Sequence, residues 1–214
     1  PVKKNANGGN MVPLKYNDQY KVVIQTPMMY VPFGMSSFTD DKTGVTKHNV
    51  ALSFRGYDGD PKLADFMAKM EQLDARFIDD GVANSKEWFG KKQSKEVISE
   101  FYRALVQPSK DPEKYAPTMK LKVNTNRSGQ IAVDAYDANK NKVDFTEHLA
   151  PGCKMQAIIE CSSMWFVGKN MYGVSWRVVQ VKFAPSDTIK GCGFLEESDA
   201  EEEEYEEEEY EEEV

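Results

Sequence analysis

The sequence predicts a mostly β protein, an α+β barrel with helices inserted into it, and three features carry that prediction. The second half alternates apolar and polar residues over long stretches, the clearest helical periodicity sits between two groups of strands, and no strand–helix–strand alternation of a parallel sheet is visible. A group of strands, a helical insertion and a second group of strands suit a barrel with its helices set into one connection.

In chain order, residues 1–13 are rich in Gly and Asn and read as a flexible arm, so order is expected from Leu14. Tyr20 to Gln25 (YKVVIQ) has strand composition, and Met28 to Phe38 continues it until Pro32 and Gly34 mark an edge strand or a bulge. DDKTG is turn chemistry, and the HNVALSF that follows soon after sets Val50, Leu52 and Phe54 opposite Ala51 and Ser53. Asp60 then reads as the N-cap of a helix with Pro61 in its first turn, and an apolar stripe of Leu63, Phe66, Met67, Met70, Leu73, Phe77 and Ile78 runs to Gly81. A short helical turn around SKEWF and a second helix over residues 94–106 complete the insertion.

The remaining strands follow from period two. In TMKLKVN, Met119, Leu121 and Val123 face one way while Lys120 and Lys122 face the other. SGQ predicts a turn, QIAVDAY its return strand, and ANKNK a loop tip. MQAIIECSSMWFVG and YGVSWRVVQVKF form a long hairpin around GKN, and a parity change near Val178 predicts a bulge or burial on both faces.

Charge is distributed unevenly. The 214 residues carry a formal net charge of -8, yet all 14 acids from Glu196 onward lie in a stretch with no Lys or Arg, leaving 21 acids against 27 bases before it. A body of +6 is therefore joined to a tail of -14. Residues 196–214 repel one another and bury nothing, so the tail is expected to be disordered and residues 14–195 to form one domain. Such a tail either lies across the body's own basic surface or recruits a separate basic partner.

The catalytic inventory is thin. His48 and His148 lack metal-ligand spacing, and there is no P-loop, nucleophile elbow or Gly-rich dinucleotide loop, so no enzyme, metal or cofactor is expected. Asp58, Asp60 and Asp65 gather carboxylates, which helix capping explains better than metal binding. The three cysteines lack C-x-x-C spacing and read as reduced thiols of an intracellular protein. No apolar run reaches the roughly 20 residues of a membrane helix, so no membrane partner is expected.

Binding chemistry is better represented. Trp165, Phe166, Tyr172 and Trp176 share one hairpin with Lys169 and Arg177, and at least half of these rings are expected in the core. Rings left outside would stack on bases while the cations hold phosphates, which suits single strands of any sequence. Lys120 and Lys122, with Arg127 in the next turn, form a cationic row.

The hairpin MWFVGKNMYGVSWRVVQVKF, together with a β body of this size and a Glu-rich end, resembles the single-stranded DNA-binding proteins of short-tailed phages and nucleo-cytoplasmic large DNA viruses. The resemblance implies an oligonucleotide/oligosaccharide-binding (OB) barrel coating single-stranded DNA in viral replication, recombination or repair. It places Trp165, Phe166, Tyr172, Trp176 and Lys182 in the matching hairpin. It also implies a tail that competes with DNA and contacts replication partners such as a polymerase or helicase, in a host nucleus or cytoplasmic replication site. Glu201, Tyr205, Tyr210 and Val214 are the tail residues concerned, although phage relatives end in an aromatic residue and this sequence ends in Val214. Self-association is expected from cooperative coating. The alternative is an acidic-tailed chaperone of basic proteins such as histones, which would need the tail and tolerate loss of Lys120 and Lys122.

Overall fold

The computed structural model describes residues 2–4, 10–17, 19–41, 44–168 and 170–185. In chain order its strands are β1 (Lys3–Lys4), β2 (Asn10–Pro13), β3 (Val22–Gln25), β4 (Met29–Tyr30), β5 (Met35–Thr39), β6 (Thr46–Ser53), β7 (Tyr102–Arg103), β8 (Thr118–Val123), β9 (Asp134–Tyr136), β10 (Lys142–Val143), β11 (Lys154–Val167) and β12 (Met171–Phe183). The helices are α1 (Pro61–Ala83), α2 (Ser85–Phe89), α3 (Lys95–Phe101) and α4 (Phe145–His148).

Five strands close into a ring. Pairing runs from β4 through β6, β8, β12 and β11 and back to β4, with β8 and β12 parallel and the other neighbours antiparallel. Closure removes the unpaired edges of an open sheet and encloses a core. Val50 and Leu52 of β6, Met119 and Leu121 of β8, and Met155 and Ile159 of β11 fill it, all essentially inaccessible. The protein is thus a mostly β, OB-like barrel with its main helices inserted between β6 and β8.

The helical insertion follows its local signals at the start and departs from them at the end. Asp60 Oδ1 accepts from the backbone N–H groups of Lys62 (2.9 Å) and Leu63 (3.3 Å), capping α1. Leu63, Phe66, Met70 and Phe77 bury the apolar stripe. The helix expected over 94–106 stops at Phe101 because Tyr102 and Arg103 instead pair in parallel with Tyr172 and Gly173 of β12. Asp74 of α1 holds this exit segment. Its carboxylate accepts from the Tyr102 hydroxyl (2.8 Å) and the backbone N–H groups of Leu105 (2.9 Å) and Val106 (3.3 Å). Burial raises the Asp74 pKa, and these hydrogen bonds only partly pull it back.

Three other local expectations change. Residues 10–13, read as part of a flexible arm, add β2 to β11, with Met11 opposite Trp165. The return strand after SGQ meets β8's continuation only at the Thr125–Ile131 bridge, and β9 instead lies parallel to β12. α4 was not anticipated; Asp144 caps it through the Thr146 and Glu147 N–H groups. The expected bulge is present one residue further on, where the register steps from Ile158 opposite Gln180 to Ile159 opposite Val178 and Val179 is left over. No helix among the described residues is long and apolar enough to cross a membrane.

Candidate nucleic-acid interface

Alternation along β8 leaves Lys120 and Lys122 exposed while their neighbours enter the core. Across the ladder, Lys122 stands opposite Asn49 and Lys120 opposite Ala51 on β6, and Asn49 stands opposite Ser36 on β5. Directly opposed residues of antiparallel strands share a face. Two rungs away, and so on the same face, Lys47 of β6 stands opposite Phe38 of β5, whose ring is 64% exposed. The outer face of β5, β6 and β8 therefore combines three lysines with an exposed aromatic ring.

Beside this face lies a cleft of about 260 Å³, on the N-terminal side of the single position at which β8 and β12 pair, Arg177 opposite Lys122. Arg103, Lys120, Lys122 and Trp165 line it. Trp165 owes its position to a missing side chain. It stands opposite Gly173, and a Cβ on Gly173 would lie 2.7 Å from the indole and 3.2 Å from the Arg103 Cβ. The half-buried indole thus lies against bare backbone, next to a guanidinium-bearing chain. Among the described residues, Arg103, Lys120 and Lys122 form no ion pair. Partial desolvation, and after it the Lys47 ammonium, lowers the Lys122 pKa, so an anion placed between the two lysines would relieve their repulsion. Ser175 and Trp176 also line the cleft, and Ser175 Oγ and Trp176 Nε1 are buried with no hydrogen-bond partner among the described residues.

The expected site residues separate into groups. Lys120, Lys122 and Trp165 converge on the cleft, and Arg127 is exposed in the turn that follows β8. Phe166, Tyr172 and Trp176 are 8%, 0% and 2% exposed, which corrects their reading as stacking platforms. Phe166 and Tyr172 pack instead against Trp88 and Phe89 of α2, and the Tyr172 hydroxyl donates to the Phe77 carbonyl at 3.1 Å. Arg177 is already neutralised: its Nη2 donates to Glu160 at 2.9 Å, and Lys21 approaches the same carboxylate at 3.3 Å. Burial alone would raise the Glu160 pKa, but these two hydrogen bonds and charges outweigh it and hold the group low. Lys182 lies toward the other end of β12, in a separate depression with Tyr136 and Lys140. Lys169 and the tail residues Glu201, Tyr205, Tyr210 and Val214 lie outside the described residues.

Other reactive groups have structural partners. Asp60 is engaged in its cap and Asp65 pairs with Lys69 at 2.6 Å, while His48 Nδ1 lies 2.7 Å from Ser37 Oγ. Burial, then the Glu160 charge, pushes the Cys161 thiol up to about 12. Among the described residues, no group of three or more His, Cys, Asp or Glu side chains is placed to hold a metal.

Arg103, Lys47, Phe38 and Gly173 are the contributors that sequence reading passed over. Arg103 was hidden by its assignment to a helix. Gly173 carried a usable signal, because a glycine inside a long strand marks a close approach.

No curated protein sequence matches the chain. Its fold is similar to that of gp2.5, a single-stranded DNA-binding protein encoded by bacteriophage T7, at 12% identity and a TM-score of 0.50, covering 83% of this chain and 96% of that one. A single-stranded DNA-binding protein from bacteriophage Enc34, in complex with ssDNA, is similar at 11% identity and a TM-score of 0.48, covering 85% of this chain and 98% of that one. What the chain shares with the T7 protein at that identity is the barrel fold. The match to a family model over residues 61–193, a span that holds α1 through β12, shows that the chain belongs to the family of unknown function DUF5871.

Proposed function

We propose that this protein binds single-stranded DNA without reading its sequence, performs no chemistry on it, and acts in viral DNA replication. The observation that carries the reading is the cleft, where Trp165 lies on Gly173 beside Arg103, Lys120 and Lys122, cations with no acidic partner among the described residues. Every base has a face that can stack on an indole, and every nucleotide has a phosphate for a cation, so neither contact selects sequence. The cleft adjoins the face of β6 and β8, the second and third strands of the five-strand ring, and in OB folds that face binds oligonucleotides. The fold shared with the T7 protein, which is described as a single-stranded DNA-binding protein, supports the same reading.

The reading extends to the tail through charge alone. A segment of -14 attached to a body of +6 is a polyanion that competes with DNA for the same cations and, when displaced, is free to recruit replication proteins. Membership of large-DNA-virus replication rests on the hairpin resemblance, as does a role in recombination or repair.

The test is fluorescence anisotropy of labelled oligo-dT with the full chain and with a chain ending at Leu195, at two salt concentrations. Tight, salt-sensitive binding that strengthens on truncation is expected. Binding unchanged by truncation at low salt would remove the competing tail and keep the cleft. Binding by neither form would overturn the proposal and turn attention to basic proteins as partners of the tail.

A further inference from the structure

A second group of cations shares the face of the cleft without being part of it. Tyr30 of β4 has the Arg55 guanidinium carbon 5.2 Å and the Lys154 ammonium 4.7 Å from its ring centroid. Register places this group. Lys154 stands opposite Tyr30, Tyr30 opposite Ser53, and Ser53 opposite Thr118, which is one same-face step along β8 from Lys120. All of these side chains therefore belong to the outer face that carries Lys120 and Lys122. From Lys120 the route to Tyr30 is roughly 7 Å along β8 and two strand spacings of roughly 4.8 Å across it.

Both cations are exposed, and neither forms an ion pair among the described residues. Their positions are nevertheless constrained. The Arg55 backbone N–H donates to Ser53 Oγ at 3.2 Å, fixing the start of its turn, and the backbone pair of Val31 with Cys153 at 2.8 Å continues the ladder beside Lys154. An aromatic ring attracts cations by its quadrupole but does not cancel their charge. The ring thus gathers two cations at one place and leaves both free to bind an anion.

We infer that Tyr30, Arg55 and Lys154 form a second phosphate-binding station, which receives the backbone of a DNA strand after it leaves the cleft and passes Lys120. Arg55 and Lys154 contact phosphate, and Tyr30 is a positioning residue that holds them. The inference rests on the single-strand reading above.

The experiment compares wild type with Arg55→Gln/Lys154→Gln, Tyr30→Ala and Tyr30→Phe on oligo-dT of about 6 and about 20 nucleotides, one near the short end of the reach of an OB barrel and one beyond its long end. Thermal unfolding of each variant confirms its fold. On the longer strand the double variant is expected to lose affinity about tenfold and to lower the salt slope by about 1.4, the share of two phosphate contacts on a single strand. The short strand, held in the cleft, should be unaffected. Tyr30→Ala should follow the double variant and Tyr30→Phe the wild type. Unchanged binding of the long strand, or equal losses on both lengths, would overturn the second station while leaving the cleft in place. Failure of the wild type to bind either strand would overturn both.

Discussion

Two adjacent rungs of the β11–β12 hairpin, Trp165 opposite Gly173 and Phe166 opposite Tyr172, put aromatic rings to opposite uses. Successive residues of a strand point to opposite faces, so these neighbouring rings meet different surroundings. Phe166 and Tyr172 meet the helical insertion, where Trp88 and Phe89 close over them. Trp165 meets a glycine, and no side chain lifts it off the sheet. Aromatic content on a strand therefore does not identify a binding surface. What identifies it is the partner across the ladder and the element packed above.

Tyr172→Ala probes the buried rung. Removing a ring with no exposed surface should cost about 4 kcal/mol of stability in urea unfolding. A loss below about 1 kcal/mol would mean that the helical insertion does not depend on this rung. Trp165→Ala should behave differently, weakening oligo-dT binding by roughly 5- to 150-fold, the worth of one stacked base. It should cost clearly less stability than Tyr172→Ala, and equal costs would erase the distinction between the rungs.

A smaller effect is expected at the Glu160–Arg177 rung, where the cation is already paired. Because the folded Glu160 pKa lies below its ordinary 4.5, the pair's stabilisation is present above that value and is lost as pH falls through the folded pKa. Glu160→Gln should therefore flatten the acid limb of a stability–pH profile while leaving stability at lower pH nearly unchanged. An unaltered acid limb would show that the pair contributes nothing. Asp74 acts in the opposite sense. Its raised pKa makes its contribution largest below 3.8, to be lost as pH rises through the folded value, so the two carboxylates are separable by the direction of their titrations.

Part of the interface was legible in the sequence and part was not. Lys120 and Lys122 could be assigned outward because TMKLKV alternates within six residues. Alternation sets Trp165 and Phe166 on opposite faces, but it does not say which face the helical insertion covers, so Trp165 could not be singled out. Arg103 was lost to a helix that the local periodicity favours and that pairing with β12, far away in sequence, ends at Phe101. Tyr30, Arg55 and Lys154 come from three separate stretches, so only the register of β4 against β6 and β11 could unite them.

By itself, then, the sequence determined the mostly β class, the α1 helix with its Asp60 cap, the outward lysines of β8 and the charge divide between body and tail. Those properties are set by interactions within a few residues, or by composition alone. Tertiary structure decided the closure of five strands into a ring, the end of α3, the burial of three of the four hairpin rings and the meeting of Trp165 with Arg103. Each of these depends on which distant strand supplies the opposing residue, and that choice is made by competition for one shared core rather than by local preference.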